Sequence, residues 1–243
     1  MTSRPWRGLF EAGDHWAIWR GAVGDSDPHR HLAAQAVIAD APISVLGSAG
    51  ERWHGRCILI DPLVRHRLEP TRHAELIFLE ASPGVVPDAL SRRLAAAWAE
   101  EPPILLASQG AAGGFWAGHR SAGGEPQHAV PDRERLGAAL RHIDRHLGGG
   151  AIRLADAAEP TGLSPERFRH VFSEVFGMSF RRYVLWRRIG RAVLALNGGA
   201  GATAAAHDAG FADGAHFSRT LKAMFGVSPR ALQWDVASKA QQR

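Results

Sequence analysis

The chain has a single cysteine, Cys57, among 243 residues, so no internal disulfide can form. That agrees with a reducing compartment and excludes the disulfide-stapled class of small secreted folds. No apolar run approaches the roughly 18 residues that a membrane span requires. The opening MTSRPWRGLF has no extended apolar core behind its charges, so no secretory leader is read and a cytoplasmic location is expected. Missing too are the Ser/His/Asp, Cys/His and glycine-rich phosphate-cradling patterns that carry nucleophilic or phosphoryl-transfer chemistry. The chain is therefore not read as an enzyme, and no catalytic residue, cofactor or resident metal is assigned. What is present is a hydrophobic content of 45%, enough for a core in each of one or two domains.

Charge is divided unevenly. Residues 1–128 carry 12 Lys+Arg against 14 Asp+Glu, whereas residues 129–243 carry 17 against 10. The basic half also holds an internal repeat. LADAAEPTGLS followed by PERFRHVFSEVFGMS (154–179) and TAAAHDAGF followed by ADGAHFSRTLKAMFGVSP (203–229) share one plan. Each has a short alanine-rich helix, a glycine turn, a cap and a second helix that closes on Phe-Gly. The two caps, Ser164 and Asp213, lie 49 residues apart. Such a period marks two copies of one supersecondary unit, here the helix-turn-helix. Gly162 and Gly210 supply the positive φ of the turns. Ser164 caps a helix that Pro165 opens without losing a hydrogen bond. Phe168, Val171, Phe172 and Val175 face inward in the first copy, and Phe217, Leu221 and Phe225 in the second. Pro160 is expected to end or bend the first scaffold helix.

Between the copies, FRRYVLWRRIGRAVLALN (180–197) places Phe180, Tyr183, Val184, Ile189, Val193 and Leu196 on one side and Arg181, Arg182, Arg187, Arg188 and Arg191 on the other. Eighteen residues of helix span about 27 Å. A rod of that length can hold two helices in successive major grooves, about 34 Å apart.

GLSPERFRHVF, GMSFRRYVLWRRIGRA and GFADGAHFSRTLKAMFGVSP, in this order and spacing, resemble the DNA-binding domain of the AraC/XylS family of bacterial transcription regulators; the similarity covers about 132–233. The resemblance implies a sequence-specific regulator, activator or repressor, whose partners are double-stranded promoter or operator DNA and RNA polymerase. It implies about seven helices and two recognition helices that present Glu166, Arg169 and His170, then Gly214, Ala215, Ser218 and Arg219, to the major groove. His216 is expected to contact DNA from the second helix beside Arg219, and Arg187 and Arg188 on the bridging helix are expected to hold phosphates. Gly214 and Ala215 offer no side-chain donors, which keeps open an architectural binder without sequence preference. Ala202, Ala205, Leu221 and Ala231-Leu232-Gln233 depart from the family pattern, and a short last helix is expected over Ala231–Ala237.

Residues 1–80 read as β-rich, with short apolar runs bounded by Gly, Pro and Asp. Residues 29–79 resemble half of a cupin barrel, which implies a sensor domain. His29 and His31, two apart, share one face of a strand, and His66 can join them. Gln35 stands where metal-binding cupins have a carboxylate. His29, His31, Gln35, His66 and Trp19 are the candidate effector residues. Three outcomes stay open for them: a small organic effector, a metal, or no ligand. The rival to a plain regulator is a metal-dependent cupin enzyme or metal sensor with a DNA-binding tail. An amphipathic helix over 84–101 packs on the barrel or makes a homodimer interface. The overall expectation is an α+β chain of two domains: a small cupin-like β-barrel with a helix for effector binding and dimerisation (1–107), a flexible linker (108–131) and an all-α DNA-binding domain (132–243). Within the linker, Phe115 and Trp116 are out of character and are expected to dock on a domain.

Overall fold

The computed structural model describes residues 4–13, 15–80, 88–107, 115–116, 133–176 and 178–234. Most of the expected linker, the expected cap Asp132, the start of the helix at 84–87 and residues 235–237 of the expected last helix lie outside this set. The chain packs as two compact units. The first combines the chain up to Leu79, the stretch through Trp116 and the chain from Leu221 onward; the second runs to Thr220 and includes Glu80.

In the first unit, β1 (Trp6–Ala12), β2 (Trp16–Val23), β3 (Ala33–Gly47), β4 (Arg52–Ile60), β5 (His66–Leu68), β6 (Thr71–Glu80), β7 (Ile104–Leu106) and β8 (Leu232–Trp234) form one sheet, with α1 (Asp88–Glu100) against it. The strand order is β7-β4-β3-β6-β2-β1-β8, with β5 paired to β3. This path has two ends, so the expected cupin-like barrel is not closed. The short strands β7 and β8 extend β4 and β1 in parallel, and no hydrogen-bonded ladder joins the two edges among the described residues.

β3 is buried on both faces over most of its first half. Alternation sorts its side chains. Ala34, Ala36 and Ile38 face a core built with Cys57, Leu59, Ile77, Leu79, and Leu90, Leu94 and Ala97 of α1. Gln35 and Val37 point to the opposite face. β3 changes register between Ile38 and Ile43, around Pro42, which has no amide hydrogen for a ladder. Trp116 closes the α1 side, fully buried; its indole Nε1–H donates to Ile60 O at 2.9 Å. The expected docking of this aromatic pair is thus found, and the apolar stripe of α1 is spent inside the unit.

The second unit is helical: α2 (Arg133–His146), α3 (Leu154–Ala158), α4 (Pro165–Phe176), α5 (Phe180–Asn197), α6 (Ala202–Asp208) and α7 (Gly214–Phe225), whose last turn already belongs to the first unit. With the 3₁₀ turn at Pro229–Ala231, these make up the expected set of about seven helices. After that turn the chain becomes β8 instead of the expected helix. Its register partners are Trp6, Arg7 and Gly8, and Trp234 packs edge-on against Phe10 and Trp19. A tryptophan offered an aromatic cleft and a free strand edge gains more there than in an exposed helical turn. No described helix is long and apolar enough to cross a membrane.

Candidate functional site

The two helix-turn-helix copies are built by the same local chemistry. In the first, α3 stops at Ala158 and a 3₁₀ turn, Glu159–Thr161, carries Pro160 in its first positions. Pro160 thus ends the helix, as its missing amide requires. Gly162 follows at φ +71°. Ser164 Oγ accepts from the amide of Arg167 at 3.2 Å, so it caps α4. In the second copy Gly210 turns at φ +80°, and Asp213 Oδ1 accepts from the amide of His216 at 2.6 Å. That bond holds the Asp213 carboxyl below its ordinary range.

These anchors fix which side chains look outward. Phe168, Val171, Phe172 and Phe176 bury one face of α4 against Phe180 and Tyr183. Val175 is only half-buried. Glu166, Arg167, Arg169 and His170 stay exposed. Arg169 and Glu166 face each other across one turn at 3.1 Å, which aligns the guanidinium along the open face. On α7, Phe217 and Leu221 are buried and Arg219 is exposed, while His216 and Ser218 are partly so. Ser218 Oγ donates to Gly214 O at 2.7 Å, leaving its oxygen as an acceptor. Gly214 and Ala215 present only backbone.

Arg187 and Arg188 are placed differently. Arg187 keeps only 15% of its side chain exposed and pairs with Glu80 at 3.4 Å and Asp144 at 3.0 Å. Glu80 also accepts from Trp186 Nε1 at 2.6 Å and from the Tyr183 hydroxyl at 3.3 Å. Burial and that carboxylate push the Tyr183 phenol well above its usual range. Arg188 donates to Gly150 O, and burial lowers its guanidinium. The sequence shows a run of arginines; it does not show that two acids distant in the chain meet Arg187, or that a distant backbone carbonyl meets Arg188.

A second constellation lies in the first unit. His29, His31 and His66 come together, with ring centroids 4.4–5.7 Å apart. All three are buried, and so is Gln35. His29 and His66 exchange backbone hydrogen bonds at 2.9 Å, which brings the two segments side by side. His31 Nε2 and His66 Nε2 both lie against Gln35 Oε1, at 2.9 and 3.1 Å. Burial favours the uncharged rings: it lowers all three imidazoles, His29 to about 3. One ligand atom from each histidine lies within 4.8 Å of the others. Trp19 does not join them in ring contact; it packs edge-on against Trp6 and Trp234. Two aromatic neighbours adjoin the cluster: Phe78, edge-on to His31 at 5.3 Å, and Phe225, stacked on His31 at 5.7 Å. Phe225 is read from the sequence as part of the helical core stripe, and no periodicity signals its second role.

Residues 157–233 match the family model described as a helix-turn-helix domain. Over 102 residues the chain is 30% identical to the transcriptional activator RhrA of Rhizobium meliloti (strain 1021); the match covers 41% of this chain and 32% of that protein. The chain thus spans about a third of the length of this curated relative. Among solved structures, ToxT from Vibrio cholerae O395, bound to (E)-4-(8-methylnaphthalen-1-yl)but-3-enoic acid, is similar over 88% of this chain and 97% of its own, with a TM-score of 0.52 and 12% identity. That likeness is one of fold. A Chromobacterium violaceum transcriptional regulator described by its AraC-type DNA-binding domain matches 42% of this chain and 90% of its own at 24% identity, with a TM-score of 0.39.

Proposed function

We propose that this chain, which carries an AraC-type helix-turn-helix domain, is a sequence-specific DNA-binding transcription regulator, with α4 and α7 as its two recognition helices. The observation that carries this reading is the repeated turn: φ +71° and +80° at Gly162 and Gly210, followed by side-chain caps from Ser164 and Asp213. Each copy frees one polar face from a buried aromatic stripe. The basic excess of residues 129–243 supplies the long-range attraction to phosphate.

In this reading Arg169 and Arg219 take the two acceptors on a guanine edge, which a guanidinium matches in geometry. Glu166 accepts from a cytosine amino group or holds Arg169 in place. His170, His216 and Ser218 serve bases or phosphates, and the capped amides at the start of α4 and α7 point at the backbone. Arg187 and Arg188, engaged within the second unit, are structural in this reading rather than phosphate contacts. The first unit is the place for an effector. RNA polymerase is the downstream partner; a homodimer would use surface other than the buried stripe of α1.

The test is selection of bound duplexes from a random library by the full chain near physiological salt. Two enriched blocks about one helical turn apart are expected. A single block would make α7 a backbone contact only, and no enrichment with or without added effectors would refute sequence-specific reading. Arg169→Ala should cost about 1–3 kcal/mol on the selected site and relax one base preference. Equal losses on selected and random DNA would remove Arg169 from the readout.

A further inference from the structure

The turn after α2, Gly148-Gly149-Gly150, lies against the turn of the second helix-turn-helix copy. The two backbones meet reciprocally. A Cβ at Gly148 would fall 2.8 Å from Asp208 O, and a Cβ at Gly210 would fall 2.0 Å from Leu147 O. Each segment thus carries a glycine where the carbonyl of the other approaches. Just past Gly150, at Leu154, the chain enters α3, the scaffold helix of the first copy. The segment that launches the first copy is therefore pressed against the turn of the second, all within the second unit.

Two arginines of α5 fasten this meeting point. Arg188 donates to Gly150 O, and its head lies over Gly210: a Cβ there would stand 3.1 Å from Nε and 3.2 Å from Cζ. Arg191 follows three residues later, so it is a neighbour on the same helix surface. It donates to both carboxylate oxygens of Asp208 at 3.2 Å, and a Cβ at Gly148 would stand 3.5 Å from its Nη2. Neither contact adds much stability. The Arg191–Asp208 side chains are 40% and 59% exposed, where screening leaves an ion pair little. Arg188 Nε is buried without a hydrogen-bond partner among the described residues, which works against folding. What the two side chains supply is placement: Arg188 holds the entry to the first copy, and Arg191 holds the end of α6 in the second.

We propose that Arg188 and Arg191 are positioning residues that lock this glycine junction, and through it the separation and rotation of α4 relative to α7, so that the junction sets the spacing between the two blocks of DNA sequence the chain accepts. The consequence for DNA rests on the regulator reading above; the brace itself does not. The bridging helix alone is a poor ruler. Gly190 lies between the two arginines, and a Cβ there meets nothing within 4 Å. Glycine weakens a helix interior, and no neighbour packs against this one. The arginines stand on either side of that weak point. With recognition helices about 34 Å apart, each lies about 17 Å from the middle of the rod, so a swing of about 10° moves one by about 3 Å, one base-pair step. A chain without the brace therefore accepts spacings that the braced chain rejects.

The brace is tested first without DNA. Spin labels at Glu174→Cys on α4 and Ala204→Cys on α6, both exposed positions, report the distance between the two copies in the full chain, with the buried Cys57 replaced by Cys57→Ala. One narrow distance is expected. Arg188→Ala and Arg191→Ala should each widen or shift it by about 3 Å. Arg188→Lys and Asp208→Asn, which remove the planar head or one charge while keeping the bulk, carry the same expectation if the alanine variants do not fold. A distance as narrow and unshifted in the folded variants as in the parent overturns the brace. Duplex selection follows. The wild-type chain should enrich its two blocks at one spacing, and the variants should enrich the same blocks at spacings that differ by about one base pair or more. The same single spacing in the variants overturns the role in DNA choice. A salt slope reduced by about one in Arg188→Ala at unchanged spacing would make Arg188 a phosphate contact instead. Failure of the wild-type chain to enrich two blocks sinks two-helix reading, while the label distance still decides the brace.

Discussion

Replacing the turn glycine of each helix-turn-helix copy by alanine should have unequal effects, and the difference can be worked from the structure. Gly162 and Gly210 have nearly the same conformation, φ +71° and +80°. An L-residue in the left-handed region costs roughly 1–2 kcal/mol, and the reduced freedom of the unfolded chain returns about 0.4–1 kcal/mol. Both terms apply alike to the two sites. The surroundings do not. A Cβ at Gly162 meets nothing within 4 Å, whereas at Gly210 it falls 2.0 Å from Leu147 O. That neighbour is backbone at the end of α2, so relief requires moving α2 against the turn. Forced overpacking of this kind costs about 1–3 kcal/mol. Gly210→Ala should therefore lose about 1–3 kcal/mol more than Gly162→Ala. A two-unit chain need not unfold in one step, so the appropriate assay is native-state hydrogen exchange at the amides of α2 and α6. Gly210→Ala should also weaken the second block of a selected duplex more than the first. Losses that agree within about 0.5 kcal/mol would refute the claim that close approach, beyond turn conformation, dictates Gly210.

Two further outcomes are expected. Arg187→Ala should lower the stability of the second unit by about 1–3 kcal/mol, less than a fully buried pair because Asp144 is partly exposed, and should leave the salt dependence of DNA binding unchanged; a salt slope reduced by about one would return Arg187 to the phosphate contacts. Cys57 is buried, and burial pushes its thiol up to about 11, so native chain at neutral pH should resist thiol reagents until it unfolds; rapid stoichiometric labelling of native chain would contradict the packing beneath α1.

The helical half was legible because its information is local. A turn glycine, a cap three residues before the amide it serves and an aromatic every three or four positions all lie within one window of sequence. Pro160, Gly162, Ser164, Gly210 and Asp213 were read that way, and the structure gives each the predicted role. The histidines gathered as expected, though not by strand alternation: His29 makes only an isolated bridge to His66, and His31 lies in the irregular stretch before β3. Other features depended on partners distant in the chain. Arg187 and Arg188 look like surface charge until Glu80, Asp144 and Gly150 are brought beside them. The open sheet and the conversion of an expected helix into β8 are likewise set by where an edge and an aromatic cleft become available, which no local pattern encodes.

The pairing of β8 with β1 bears on the order in which the molecule can be completed. Arg7 donates to Gln233 Oε1 at 3.2 Å across 226 residues of sequence. As the chain emerges during synthesis, β1 and β2 are available early, but the outer edge of β1 waits for nearly everything else to be made. Until then it is an uncovered strand edge flanked by Trp6 and Phe10, the kind of surface that recruits other nascent chains. Contacts of such sequence separation form slowly. The arrival of Leu232–Trp234 therefore covers the edge last, and a chain truncated just before that strand should be made in normal amount yet collect in aggregates.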